Sequence, residues 1–92
     1  PIQSGTVHVT KYDKEWSGNE HTDLCDVSVL VSLNDDFEGG GTEFKGGVIK
    51  PLPVGSALVF PSYITRHKGL SITTGNRYLL VFWLNRTLEG IM

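Results

Sequence analysis

Polar and apolar residues alternate along much of the chain, which is the spacing typical of β-strands. The run 26–33 (DVSVLVSL) places valines on one face and Ser28, Leu30 and Ser32 on the other. Gly- and Pro-containing turns separate it from further short runs at 7–12, 42–44, 48–50, 56–61 and 77–85. No window of eleven or more residues has the apolar spacing of an amphipathic helix. The pattern therefore predicts roughly seven short strands in an all-β sandwich or barrel.

Length and charge narrow the class of protein further. Ninety-two residues without a repeat or linker predict a single domain, 1–92. The net charge of −2 offers no basic field for nucleic acid or an anionic membrane, and the apolar run 78–84 is far shorter than the about 20 residues that span a bilayer. Cys25 is the sole cysteine, which excludes an internal disulfide and a cysteine zinc cluster. We expect neither a nucleic-acid nor a membrane partner.

The N-terminal sequence gives one indication of the cellular compartment. No signal peptide is visible, which favours the cytoplasm. Because the first residue is Pro1 and not Met, the endoplasmic reticulum is the alternative if an upstream signal was removed.

Three residues form a candidate metal centre. His21 and Asp23 are an H-x-D element, and on extended backbone their side chains point to the same face. His67 follows a later strand, and two imidazoles with one carboxylate make the facial triad suited to Fe(II). H-x-D alone is a weak signal, and histidines in surface turns are the plain alternative.

Arg77 begins the most apolar strand of the chain, RYLLVFWLN. If the face it shares with Leu79, Val81 and Trp83 points inward, a guanidinium enters an apolar cavity, where an unpaired charge is costly. A bound carboxylate would offset that cost through a bidentate pair. The alternative is that Arg77 lies at the strand end and extends to water.

Several spaced motifs, in this order, resemble the iron- and 2-oxoglutarate-dependent dioxygenases, above all the prolyl 4-hydroxylase and procollagen lysyl hydroxylase branches. They run from about Thr6 to Asn85 and comprise Tyr12, His21-x-Asp23, the segment 34–44 (NDDFEGGGTEF), Pro51-x-Pro53-x-Gly55-x-Ala57-Leu58-x-Phe60-Pro61, His67-x-Gly69, Gly75-x-Arg77-Tyr78 and Trp83. The segment from His67 to Tyr78 is more similar to the lysyl branch.

The resemblance implies a double-stranded β-helix, or jelly-roll, whose usual flanking helices are largely missing from this chain. It implies that His21, Asp23 and His67 bind Fe(II). Arg77 matches the residue that binds the distal carboxylate of 2-oxoglutarate, and Tyr12 a tyrosine whose hydroxyl binds the same co-substrate. Trp83 matches an aromatic residue beside the iron, and ascorbate is a candidate reductant.

The activity implied is hydroxylation of an unactivated C–H bond with O₂, coupled to decarboxylation of 2-oxoglutarate to succinate and CO₂. A peptidyl prolyl or lysyl side chain is the expected substrate, on a peptide or protein. Two alternatives stay open, namely a non-catalytic jelly-roll binding module and the same chemistry on a nucleobase or small metabolite.

A sheet without helical cover leaves an apolar outer face. We expect Leu30, together with the residues of the last strand opposite Arg77 (Tyr78, Leu80, Phe82 and Leu84), to lie on that exposed face. Such a patch usually marks an interface. It predicts either a homodimer or an upstream segment that buttresses the sheet.

Overall fold

The computed structural model describes residues 2–16 and 18–86, and the side chains of 7–16 and 18–85. This part of the chain contains strands and turns, with no helix. Its nine strands are β1 (Ile2–Tyr12), β2 (Val27–Ser32), β3 (Phe37–Gly39), β4 (Thr42–Phe44), β5 (Gly47–Ile49), β6 (Ala57–Pro61), β7 (His67–Gly69), β8 (Ile72–Gly75) and β9 (Arg77–Arg86).

Two antiparallel layers make up the fold. The first is a four-stranded sheet in the order β1-β9-β2-β6, and the second contains the ladders β3-β8 and β5-β4-β7. Backbone hydrogen bonds from Gly40 to Ser71 and from Leu70 to Gly41 join the β3-β8 and β4-β7 ladders into one long bent pairing. The all-β jelly-roll-like prediction is therefore confirmed.

The core lies between the two layers and consists mainly of β-branched, leucine and aromatic side chains. Phe60 of the first layer meets Phe44 of the second edge-to-face, with ring centroids 5.4 Å apart. Besides Phe60, the buried apolar residues in the described part of the chain are Cys25, Ile72, Leu79 and Val81. Because this core is small, part of the interior is left to polar side chains, and they define the candidate site.

The register of β2 corrects one prediction about its faces. The alternation is as predicted, but Ser28, Leu30 and Ser32 face the interior, because they lie opposite Trp83, Val81 and Leu79 on the inward face of β9. Ser28 and Ser32 are buried, and Leu30 lines the central cavity. The prediction that Leu30 belongs to the exposed outer face was therefore wrong.

The second layer also contains strands that the hydrophobic pattern did not predict. None of the alternating runs includes residues 37–39, 67–69 or 72–75, yet these residues form β3, β7 and β8. These strands are three or four residues long and rich in Gly and polar residues. Their identity as strands depends on pairing with distant segments, which an alternation pattern does not reveal.

Glycine is required at the bend between β3 and β4. Gly40 has a φ of +80°, and a Cβ atom there would lie 2.6 Å from Ile72 Cδ1. The chain can therefore turn tightly against the core here and present the Gly41 carbonyl to the interior.

The outer face of the first layer remains apolar. Val7 and Val9 of β1 lie opposite Phe82 and Leu80 of β9, and the two valines and Val59 of β6 are each about half exposed or more (48, 59 and 58%). Within residues 2–16 and 18–86, no helix is long and apolar enough to cross a membrane.

Candidate metal centre

A backbone bridge brings His21 to His67. The two residues exchange N–H···O hydrogen bonds of 2.9 Å each way, so the loop before β2 pairs with the edge of β7. Their rings consequently lie 4.5 Å apart, centroid to centroid. The bridge joins segments that are 46 residues apart in sequence, and it places both imidazoles at one end of the cavity between the layers.

Asp23 lies between the two imidazoles. Its Oδ1 is 3.4 Å from Nε2 of His21, and its Oδ2 is 3.6 Å from Nε2 of His67. One donor atom from each of the three residues falls within 4.8 Å of the others. Donors that bind one ion at about 2.0–2.2 Å lie about 3 Å apart when they are adjacent in its coordination sphere. The three side chains are therefore close to the spacing that a shared cation requires.

Both imidazoles are oriented by their own backbone. His21 Nδ1 lies 2.9 Å from the carbonyl oxygen of Asn19, and His67 Nδ1 lies 3.0 Å from that of Thr65. A carbonyl only accepts hydrogen bonds, so Nδ1 is the donor in each contact, and a neutral ring held in this way directs its Nε2 lone pair to the space beside Asp23. Metal-binding histidines are usually held in this way.

Arg77 occupies the other end of the same cavity. It is 94% buried (6% exposed), which excludes the alternative in which it extends to water. Nη1 donates a long 3.5 Å hydrogen bond to the Gly41 carbonyl, while Nε has no partner in the part of the chain that the structure describes. None of the ion pairs within 2–16 and 18–86 involves Arg77. Burial lowers the pKa of this guanidinium from its ordinary value, and Tyr12 opposes that shift.

Tyr12 lines the cavity beside Arg77. It pairs with Arg77 across β1 and β9, and the guanidinium carbon is 6.0 Å from the centre of the phenol ring. Burial raises the pKa of the Tyr12 hydroxyl, the charge of Arg77 opposes this shift, and Asp23 adds to it. The Tyr12 hydroxyl stays protonated at neutral pH and can donate a hydrogen bond.

Trp83 lines the cavity farther along β9. Its ring packs against His8, with centroids 4.7 Å apart, and its indole Nε1–H is buried without a hydrogen-bond partner among the described residues. A buried donor without a partner is costly unless a ligand accepts a hydrogen bond from it. His8 lines the cavity as well, but it does not belong to the cluster of donors formed by the triad.

The cavity that these residues enclose has a volume of about 270 Å³. It extends from the triad to Arg77 between Leu30, Leu79 and Val81. The combination is one cationic end, one carboxylate–imidazole end and apolar walls between them. It suits a small acid whose two ends carry different polar groups.

No protein-family model matches the chain. Comparison with curated proteins does find relatives. The multifunctional procollagen lysine hydroxylase and glycosyltransferase of Caenorhabditis elegans is 32% identical over 93 residues, which cover 92% of this chain and 13% of that protein. The procollagen-lysine,2-oxoglutarate 5-dioxygenase 1 of Mus musculus is 33% identical over 81 residues (82% of this chain, 11% of the relative). The human multifunctional enzyme LH3 is 35% identical over 79 residues (79% and 11%).

The chain is homologous to procollagen lysine hydroxylases. It spans about an eighth of the length of these curated relatives. The homology supports the dioxygenase family that the motifs resembled, and among its branches it supports the lysyl one.

The residues present fit the iron that these hydroxylases imply. Two imidazoles whose Nε2 atoms lie beside one carboxylate are a donor set that binds Fe(II) and leaves coordination positions open. The six residues singled out in the sequence (Tyr12, His21, Asp23, His67, Arg77 and Trp83) all line one cavity. Their individual roles stay predictions.

Sequence reasoning missed Trp16 and Ser28. Trp16 packs edge-to-face on Tyr12 with centroids 4.7 Å apart, and both rings lie against Gly69, where a Cβ atom would come 3.2 Å from Tyr12 and 3.3 Å from Trp16. A tryptophan within a short polar loop before H-x-D was the available signal. Ser28 gave none, since a serine in an alternating strand is typical of a solvent-facing position.

Proposed function

We propose that the chain is a single Fe(II)- and 2-oxoglutarate-dependent dioxygenase core that hydroxylates a peptidyl side chain, with lysine favoured over proline. The observation that carries the proposal is that the His21–Asp23–His67 cluster shares a cavity with Arg77, a buried cation that has no carboxylate partner in the described residues. The names of the curated relatives support the choice of lysine.

The triad would hold the iron through the two Nε2 atoms and the Asp23 carboxylate. Bound there, Fe(II) supplies the activation of O₂ that oxidative decarboxylation and C–H hydroxylation require. The residues of the chain would orient the co-substrate, exclude water and position the C–H bond to be oxidised.

Arg77 and Tyr12 would bind the distal carboxylate of 2-oxoglutarate. A bidentate pair with the guanidinium supplies a counter-charge that no described residue provides to Arg77, and the neutral Tyr12 hydroxyl donates one further hydrogen bond. The same contacts direct the 2-oxo acid end toward the triad. Leu30, Leu79 and Val81 line the path between the two ends, and their apolar surface excludes water from it.

The test is succinate formation from 2-oxoglutarate by the purified protein with Fe(II) and ascorbate, with and without lysine- or proline-containing peptides. We expect succinate release that depends on iron and rises with a lysine peptide, which gains one oxygen atom by mass spectrometry. Asp23→Ala should abolish it, whereas Asp35→Ala, at an exposed aspartate, should not.

Other outcomes would overturn the proposal in distinct ways. Binding of metal and 2-oxoglutarate without turnover would indicate the non-catalytic jelly-roll module. Stimulation by a nucleobase or a small metabolite, and by no peptide, would keep the chemistry but reject the substrate class. Ascorbate as reductant and a cytoplasmic location stay predictions.

A further inference from the structure

A row of buried hydrogen bonds continues from the candidate metal centre into the core. Ser28 Oγ contacts Asp23 Oδ2 at 2.5 Å, Ser62 Oγ lies 2.7 Å from Ser28 Oγ, and Cys25 Sγ lies 3.0 Å from Ser62 Oγ. Ser28 and Ser62 are 0% exposed and Cys25 is 3% exposed. Four side chains from three segments thus form one connected row of buried hydrogen bonds.

The direction of these hydrogen bonds follows from the chemistry of the groups. An ionised carboxylate only accepts, so the Ser28 hydroxyl donates to Asp23. Ser28 is then left as the acceptor from Ser62, and Ser62 as the acceptor from the Cys25 thiol. Hydrogen bonds aligned in one direction polarise and strengthen one another, most of all at the charged end. The Asp23 carboxylate is that end.

The backbone of two strands holds Ser28 and Ser62 in position. Ser28 is within β2, and Ser62 directly follows β6, where its N–H donates to the Asp26 carbonyl at 3.0 Å. The row therefore ties the H-x-D loop to both strands. Hydroxyl groups at 0% exposure would be costly without partners, and these two find theirs in each other and in Asp23.

We propose that Ser28, backed by Ser62 and Cys25, is the positioning residue of the metal centre. By donating to Oδ2 it fixes the rotation of the Asp23 carboxylate, so that Oδ1 faces the ion and Asp23 binds through one oxygen. Single-oxygen binding keeps a coordination position open that a two-oxygen carboxylate would fill. The inference rests on the metal site of the proposed function, and it adds residues that the triad does not include.

The test measures Co(II) affinity and the visible spectrum of the bound Co(II) in a graded set of variants. We expect Ser28→Ala to weaken binding by roughly 10- to 100-fold, as changes behind metal ligands typically do. Ser62→Ala and Cys25→Ala should have progressively smaller effects, and Cys25→Ser, which keeps a donor, should restore the affinity lost in Cys25→Ala. Ser32→Ala is the matched control, because Ser32 is a buried serine on the same face of β2 at the level of Leu79.

The spectrum separates positioning from a general loss of stability. A carboxylate free to rotate changes the coordination of the bound Co(II), so Ser28→Ala should alter the spectrum, whereas Ser32→Ala should not. If Ser28→Ala does not fold, the test rests on the other two positions. Ser62→Ala should then weaken Co(II) binding more than Cys25→Ala does, and Cys25→Ser should restore the affinity that Cys25→Ala loses. Unchanged affinity and spectrum in Ser28→Ala, or equal losses in Ser32→Ala, would refute the inference alone. An unsubstituted protein that binds no divalent metal would refute the proposed function together with it.

Discussion

Arg77 should strengthen the binding of 2-oxoglutarate but lower the stability of the protein without ligand. Replacing Arg77 should show both effects. The side chain is 6% exposed, and its Nε has no hydrogen-bond partner among the described residues. In the protein without ligand this guanidinium is a buried charge with no counter-ion among residues 2–16 and 18–86. With a bound dicarboxylate it becomes half of a charged hydrogen-bond pair. The same substitution should therefore act with opposite signs on binding and on folding.

For binding, losing one partner of a buried charged pair costs about 2–5 kcal/mol. This corresponds to a roughly 30-fold to several-thousand-fold weaker affinity for 2-oxoglutarate. Arg77→Ala should show that loss with metal binding nearly intact, and Arg77→Lys should lie in between, since lysine keeps the charge without the planar fork. Anaerobic calorimetric titration of the Mn(II)-loaded protein measures both. Arg66→Ala, at an exposed arginine paired with Glu20, is the control.

For folding, Arg77→Met retains most of the apolar stem and removes the charge. An unsatisfied buried polar group costs about 1–3 kcal/mol, so the free energy of unfolding without ligand should stay equal or rise by up to about that amount. Urea denaturation measures it. Unchanged 2-oxoglutarate affinity in Arg77→Ala, or a marked loss of stability in Arg77→Met, would show that the guanidinium is a structural group and not a ligand-binding one.

Four further predictions concern the cavity and the outer face. His67→Ala should abolish stoichiometric binding of Mn(II) or Co(II), whereas His8→Ala, in the same cavity but outside the donor cluster, should retain it; full binding by His67→Ala would contradict the assignment. Tyr12→Phe should weaken 2-oxoglutarate binding by about 2- to 10-fold, the value of one neutral hydrogen bond. Burial raises the pKa of Tyr12, so the contribution of Tyr12 to folding stability should be fully present below about pH 10 and be lost as the pH rises further. Tyr12→Phe should remove this alkaline loss of stability in denaturation curves, whereas Tyr78→Phe, on the opposite face of β9, should not. The apolar outer face should drive homodimerisation or require an upstream segment for solubility, so Val9→Lys should reduce self-association in sedimentation runs; a monodisperse unsubstituted monomer at high micromolar concentration would be the contrary result.

The sequence alone indicated much of the chemistry of the candidate site. An H-x-D pair, a distant histidine and an arginine that begins an apolar strand are readable because each signal lies in residue type and local parity. The structure buries Arg77 and brings the three donor residues close together, while the roles of these residues stay predictions. The all-β class was readable for the same reason, because alternation is a local property of the backbone.

Local parity could not decide which face of β2 is the inner one. Alternation separates the serine-containing face from the valine face, but pairing with Trp83, Val81 and Leu79 of β9 determines that the serines point inward. Hydrophobicity alone favours the opposite orientation. Ser28 can be buried because Asp23 and Ser62 satisfy its hydroxyl there, and such partners are known only once the strands are assembled.

The closeness of His21 and His67 likewise belongs to the tertiary structure. The sequence supplies two imidazoles 46 residues apart, and a pair of backbone hydrogen bonds between a loop and the edge of β7 brings their rings together. The short strands of the second layer and the packing of Trp16 on Gly69 arise in the same way. Which residues share a face is fixed by covalent geometry within a few residues. Which faces and which distant residues meet is decided by hydrogen bonding and burial between segments, and these form only when the chain folds.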